Sequence, residues 1–218
     1  MNPIATSFAW PFRGEWRSRW LIGVLMVALL PIAFVPLLGY AVEATRSASA
    51  DPTRGLPRWR FSVRLLAEGL WIAIALVLIA APFALAWGPL ATLIDQTHVW
   101  HARDAAVSQV YSGVAAAFVL ALPWGLVMLL VVPHATVRFA TSGRAIDLFD
   151  FPAAIRGVTR DFATWNLAAA AIVTAWAIGI ACVGILCAGI VPGIFYAILV
   201  SAHASAALHP KVADPATR

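Results

Sequence analysis

The sequence has few charged residues. Only 11% of its 218 residues are Asp, Glu, Lys or Arg, while 62% are hydrophobic. A soluble protein carries about 25% charged and about 45–50% apolar residues. A chain with so little charge does not cover a globular surface, so lipid is expected to cover it. The composition therefore excludes a soluble domain and predicts an integral membrane protein.

Sequence motifs of nucleotide binding and catalysis are missing as well. The sequence contains no P-loop, no Rossmann glycine motif, no HExxH and no nucleophile elbow. We therefore expect no enzyme activity and no cofactor. The formal net charge is +5, and the positively charged residues lie between the hydrophobic runs. This placement predicts that they contact anionic lipid headgroups, and we expect no nucleic-acid partner.

Cysteine is scarce, since the chain has only Cys182 and Cys187. Five residues apart on a helix, these two positions are rotated by about 140°, which is incompatible with a disulfide bridge. Both lie in an apolar run and are interpreted as small packing residues.

Long stretches without charge occupy most of the chain. They comprise residues 20–42, 65–94, 105–137 and 162–210, with Glu68 as the one charged residue inside them. A helix needs about 20 apolar residues to span the ~30 Å hydrocarbon core. The last stretch is too long for one crossing, and breakers near its middle at Gly189, Pro192 and Gly193 divide it.

These runs predict an all-α integral membrane helix bundle that forms a single membrane domain. Four segments are expected to cross fully, namely residues 65–94, 105–137, 164–187 and 191–208. Residues 1–19 are expected to be an interfacial N-terminal segment, and residues 209–218 a cytoplasmic tail.

The first hydrophobic segment, residues 20–42, is broken by Pro31 and Pro36. Each proline removes a helical hydrogen bond, so the segment is either a kinked fifth crossing or a re-entrant pair of half-helices. Lys and Arg accumulate in cytoplasmic loops. A re-entrant segment places 14 of the 15 Lys and Arg residues inside, whereas a crossing with an outside N-terminus places 11 inside. The charges favour the re-entrant alternative, with both termini cytoplasmic in a bacterial inner membrane.

Two short segments are predicted to form amphipathic cytoplasmic helices. Phe12, Trp16 and Trp20 recur every four residues, which is typical of a helix lying in the membrane interface. The second helix is expected between Asp150 and Asp161, with Pro152 close to its start.

Four metal-capable side chains follow one another at a repeat of three: Asp95, His98, His101 and Asp104. On an α-helix they fan across half the circumference, so neighbouring pairs are able to share a metal but all four are not. The alternative, which we favour, is a polar interfacial loop. Both interpretations place the group on the outer side.

Glu68 is expected to pair with Arg64 one helical turn before it, because an ionisable group in an apolar run is costly without a partner. Gly179, Gly184 and Gly189 give their segment a smooth surface. We interpret that surface as a site of close helix packing, the usual role of small residues in lipid.

The sequence resembles a widespread family of small prokaryotic multi-pass membrane proteins that is classified as a domain of unknown function. The resemblance is carried by Gly39-Tyr40, Leu56-Pro57-Arg58-Trp59, Glu68-Gly69-Leu70, Arg138-Phe139-Ala140 and Gly184-Ile185-Leu186-Cys187. It implies the fold and the membrane location, and it implies no activity.

A basic, aromatic face is expected to contact lipid or a partner protein. Its arginines are Arg13, Arg17, Arg19, Arg58, Arg60, Arg64, Arg138 and Arg144. The leading hypothesis is a non-enzymatic membrane component that binds lipid or a membrane partner, including a second copy. The alternative is a small transporter or permease subunit for a neutral or lipid-like substrate, because broken helices often line substrate sites. A metal-dependent membrane enzyme at the histidines is a weaker alternative.

Overall fold

A computed structural model describes residues 4–97, 105–184 and 189–209. In these ranges the chain is helical and has no β-strand, which confirms the predicted all-α class. The α-helices are α1 (Trp16–Ala28), α2 (Phe34–Ala50), α3 (Val63–Gln96), α4 (Ala105–Ser142), α5 (Phe151–Arg160), α6 (Phe162–Ala181) and α7 (Ile190–Ala206). Short 3₁₀ segments cover Ala5–Phe8, Trp10–Phe12, Ala145–Leu148 and Cys182–Gly184.

Three helical stretches within the described ranges are long and apolar enough to cross a membrane: Val63–Gln96, Ala105–Ser142 and Phe162–Gly184. Their mean hydropathies are 2.4, 2.5 and 2.1. Ile190–Ala206 is a shorter apolar helix. The length and composition of these helices support a membrane protein. Its helices begin close to the predicted residues, but α4 continues past residue 137 to Ser142 and so includes Arg138.

The first hydrophobic segment is a helical hairpin. Residues 29–33 form the turn between α1 and α2, and α2 continues to Ala50, beyond the predicted boundary at residue 42. Trp59 Nε1 donates to the Arg19 carbonyl at 3.0 Å, and Tyr40 donates to the Pro57 carbonyl at 3.0 Å. The start of α1 therefore lies beside the loop that follows α2.

The prediction of one continuous helix through residues 12–20 is wrong. The 3₁₀ segment ends at Phe12, Arg13 is extended, and Gly14 has a φ of 64°. A left-handed backbone cannot continue a right-handed helix, so α1 begins only after Gly14. The aromatic cluster nevertheless forms. The Phe12 ring stacks on Trp20 at 5.3 Å and meets Trp16 edge-on at 5.7 Å.

The chain divides into two compact units, Met1–Ala73 with Val131–Arg218, and Ile74–Leu130. In the larger unit, α7 packs against α1, α2 and α6. The core there is built on Trp10, Tyr40, Phe195 and Leu199, all without exposed surface. Gly23 leaves room for the Phe195 ring, which occupies the place of a Cβ atom.

In the smaller unit, the later part of α3 packs along the first part of α4. Trp87 Nε1 donates to the Gly113 carbonyl at 2.9 Å. Near the end of α3, the Ser108 hydroxyl donates to Asp95 Oδ1 at 2.6 Å. The Ser112 hydroxyl donates to the same oxygen at 3.3 Å. The large apolar side chains of this unit are mostly exposed, as expected of surfaces that lipid covers.

Close packing of α6 on α7 depends on two glycines. A Cβ atom on Gly179 would lie 2.6 Å from the Gly193 carbonyl oxygen, and a Cβ on Gly193 would meet the Gly179 backbone. This confirms the predicted packing role of Gly179. A Cβ on Gly184, by contrast, would have no neighbour within 4 Å among the described residues.

Replacing Gly179 by Ala is expected to destabilise the fold by about 1–3 kcal/mol, because the added methyl group forces two backbones apart. Gly125→Ala is the matched control, since open space surrounds Gly125. Thermal unfolding in detergent, followed by circular dichroism, measures both. Equal stability of Gly179→Ala and Gly125→Ala would contradict the close contact.

Candidate functional site

Charge is confined almost entirely to one region of the larger unit. Of the 20 charged side chains in the described ranges, 12 arginines and 7 carboxylates lie in residues 13–19, 43–68 and 138–161. We call these three ranges the basic end. All eight arginines predicted for the lipid or partner face belong to it. The remaining charge, Asp95, lies in the smaller unit.

An ion-pair network around Glu68 joins three helices of the basic end. Glu68 is only 8% exposed, and its Oε1 accepts from Arg64 Nε at 2.8 Å, which confirms the predicted pair. Arg46 Nη2 donates to the same oxygen at 2.8 Å. Arg46 also pairs with Glu43 and donates through Nε to the Ala140 carbonyl at 2.7 Å. Arg46 thus connects α2 to both α3 and α4.

A second network orders the connection between α4 and α5. Arg138 Nη2 lies 3.0 Å from Asp147 and 3.1 Å from Asp150, and Arg144 lies 3.2 Å from Asp147. Ser142 donates to Asp147 at 2.5 Å. Hydrogen bonds from Arg144 and Ser142 hold the pKa of Asp147 below its usual range, so this buried carboxylate stays ionised.

Helix α5 begins where the sequence predicts. Asp150 accepts from the Ala153 backbone N–H at 3.0 Å and caps the helix, and this hydrogen bond lowers the pKa of the Asp150 carboxyl. Asp161 caps α6 in the same way through Thr164 at 3.0 Å. Ala154 and Val158 are buried, while Arg156 and Arg160 lie on the exposed face.

A cavity of about 1500 Å³ opens among these elements. The ends of α2, α4 and α7, the start of α6 and one face of α5 form its walls. Its charged and imidazole lining consists of His134, Arg138, Arg144, Asp147, Arg156, Arg160, Asp161, His203 and His209. The cavity therefore presents four guanidinium groups and two carboxylates.

His134 is the unusual member of this lining. It is 7% exposed, and its Nδ1 has no hydrogen-bond partner in the described part of the chain. Its ring lies against Gly157 of α5, where a Cβ atom would come within 2.5 Å of His134 Cδ2. A buried polar atom without a partner costs free energy, so it points to a group that the protein does not itself supply.

His203 has a structural role. It is buried, its Nδ1 lies 2.8 Å from Ser7 Oγ, and its Nε2 lies 3.2 Å from the Pro52 carbonyl oxygen. The Trp10 ring is 5.0 Å away. These contacts fasten the N-terminal 3₁₀ segments and the loop after α2 to the end of α7.

Several of the predicted face arginines are already engaged. Arg19 donates to the Leu56 carbonyl and pairs with Glu15 at 3.4 Å. Arg58 approaches Glu15 only to 4.0 Å. Arg17 lies over the Trp16 ring at 5.7 Å. Arg17, Arg58 and Arg60 are exposed, and Arg17 and Arg60 have no ion pair with any described residue.

The predicted metal site is not tested. His98, His101 and Asp104 lie outside the described residues, and Asp95 accepts hydrogen bonds from Ser108 and Ser112. Within the described ranges no group of three His, Cys, Asp or Glu residues is arranged to hold a metal. Cys182 is a free thiol. Cys187 lies outside the described ranges.

A family described as a protein of unknown function, DUF4013, matches residues 22–191. The chain belongs to this family. The DUF4013 match runs from α1 to the start of α7 and includes the Glu68 network, the α4–α5 connection and most of the cavity lining. It confirms the resemblance to a family without assigned function. No curated protein and no solved structure matches the chain.

Removing Arg46 is expected to cost about 3 kcal/mol, because Glu68 would keep only one partner in a buried position. Arg46→Met is compared with Arg64→Met, whose side chain is 69% exposed and should cost less than about 1 kcal/mol. Unfolding free energies in detergent measure the difference. The double variant Arg46→Met/Glu68→Leu should recover most of the loss, and equal effects of the two single variants would contradict the network.

Proposed function

We propose that this DUF4013 protein is a non-enzymatic membrane component that binds anionic lipid headgroups at its basic end. One observation carries the proposal: the basic end has 12 arginines but only 7 carboxylates, and it lies next to apolar helices. Each Lys or Arg near an anionic bilayer surface contributes about 1 kcal/mol to its attraction. The excess positive charge is therefore a headgroup-binding surface.

The hydrogen bonding of the carboxylates supports a binding role over catalysis. A general base needs a carboxylate that is free to take a proton. Glu68 and Asp147, the two buried carboxylates of the basic end, each accept from two arginines. Asp150 and Asp161 cap helices.

The proposed topology has a re-entrant α1–α2 hairpin and four crossings by α3, α4, α6 and α7. The 13 residues of α1 extend about 20 Å, less than the ~30 Å hydrocarbon core. Helix α2 carries Glu43 and Arg46 after nine uncharged residues. The basic end and both termini lie on the cytoplasmic side, where positive charge accumulates.

Lipid binding ranks ahead of transport. The transport alternative depends on the broken first segment as the wall of a substrate path. The break is the turn at the tip of the hairpin, where Ile32 is 89% exposed and Pro31 is exposed as well. The residues of this turn do not line the cavity.

Neutralising the exposed Arg17, Arg58 and Arg60 is expected to reduce the lipid selectivity of the protein. Native mass spectrometry counts lipids retained from nanodiscs that contain equal amounts of phosphatidylglycerol and phosphatidylcholine with identical acyl chains. In the triple variant Arg17→Gln/Arg58→Gln/Arg60→Gln, the enrichment of phosphatidylglycerol over phosphatidylcholine should fall about fivefold or more below that of the wild type. The matched triple Lys variant keeps the charges and should keep the enrichment. A wild-type protein without any preference would refute the proposal.

A single cysteine at the exposed Ala50 is expected to react with a membrane-impermeant maleimide only from the cytoplasmic side. The experiment uses a Cys182→Ala/Cys187→Ala background. A cysteine at the exposed Thr97, beyond the far end of α3, is the control and should react only from the periplasm. Periplasmic labelling at Ala50→Cys would exclude the re-entrant hairpin.

A further inference from the structure

The cavity contains a pair of guanidinium groups without a carboxylate partner. Arg156 and Arg160 lie one turn apart on α5, both line the cavity, and neither has an ion pair with any described residue. Like charges at this spacing repel each other. The nearest cavity carboxylate in sequence, Asp161, already accepts hydrogen bonds at the start of α6. The charge of Arg156 acts on Asp150, but neither guanidinium is within ion-pair distance of a carboxylate of the described protein.

His134 lines the same cavity as these two arginines. Its ring packs on the backbone of α5 at Gly157, directly after Arg156 and three residues before Arg160. Glycine at this position is what allows the approach, since a Cβ atom would lie 2.7 Å from His134 Nε2. The buried imidazole, whose Nδ1 has no partner among the described residues, and the two guanidiniums line one polar region of the cavity.

We infer that this region binds the phosphate group of an amphiphile, with Arg156 and Arg160 as its ligands and His134 completing the polar lining. The inference rests on the proposed lipid-binding function and deepens it. Guanidinium groups match the geometry of phosphate oxygens and form charge-assisted hydrogen bonds with them. The anion also gives both arginines a direct ion-pair partner.

The size and the other walls of the cavity favour an amphiphile over a free anion. A volume of about 1500 Å³ exceeds the roughly 300–1,000 Å³ of ordinary small-molecule sites. Val137 and Leu167 line the same cavity. Leu167 is 46% exposed and follows Thr164 by about one turn along α6, so the apolar wall continues from the polar region into a membrane helix.

The test is isothermal titration calorimetry on the full-length protein in a zwitterionic detergent. The probes are dioctanoyl phosphatidic acid, inorganic phosphate and dioctanoylglycerol, which lacks the phosphate. We expect one-to-one binding of the phosphatidic acid and none of the diacylglycerol. Arg156→Gln and Arg160→Gln should each weaken binding about tenfold or more, because each removes a charge-assisted hydrogen bond. Thr92→Ala changes an exposed residue of the smaller unit, outside the cavity, and should leave binding unchanged.

The two sources of phosphate and the two proposals give different results. Inorganic phosphate that binds as tightly as the lipid, with the same loss in both variants, would assign the site to a free anion and overturn the amphiphile. Phosphatidic acid binding that is equal in wild type, Arg156→Gln and Arg160→Gln would overturn the site. The proposed function would survive that result if phosphatidylglycerol enrichment in nanodiscs still depended on Arg17, Arg58 and Arg60. A wild-type protein that shows no phosphatidylglycerol enrichment but still binds phosphatidic acid in the cavity would refute the headgroup surface alone.

Discussion

The larger unit depends on the pairing of one buried carboxylate, that of Glu68, with two arginines. An ionised group at the edge of an apolar helix must be paired, because the transfer of a lone charge out of water costs several kcal/mol. Arg64 alone would satisfy it locally, but Arg46 reaches it from α2 and at the same time bonds the Ala140 carbonyl of α4. One carboxylate thus fixes where α2, α3 and α4 meet.

The hairpin follows from the same requirement. For Arg46 to reach Glu68, the chain must return to the end at which α1 began, and the turn at residues 29–33 brings it back. Proline is suited to this place, since Pro31 donates no hydrogen bond to a helix that stops there. The aromatic contacts then hold the returning chain. Tyr40 stacks on Trp59 at 3.8 Å, and Trp59 bonds the start of α1.

Much of this structure could be predicted from the sequence, where the signal is local. Apolar runs gave the long helices, Asp150 with Pro152 gave the start of α5, and the spacing of Arg64 and Glu68 gave their ion pair. One local prediction failed, since Gly14 breaks the helix expected through residues 12–20. Other contacts could not be predicted because their signal is not local. Arg46 lies 22 residues from Glu68 on another helix, and the contact of His134 with Gly157 joins two helices across a connection. No periodicity indicates such pairs.

The pairing of the arginines separates those that build the fold from those left for a ligand. Arg46, Arg64, Arg138 and Arg144 hold the buried carboxylates Glu68 and Asp147. The second set consists of the arginines that have no ion pair within the described ranges, namely Arg13, Arg17, Arg54, Arg60, Arg156 and Arg160. A fold that needed positive charge only for its own carboxylates would not retain this second set, because unpaired like charges destabilise a compact structure. Next to a bilayer, phosphate groups have the right chemistry to act as counter-charges, and the proposed lipid binding therefore assigns selectivity to the second set.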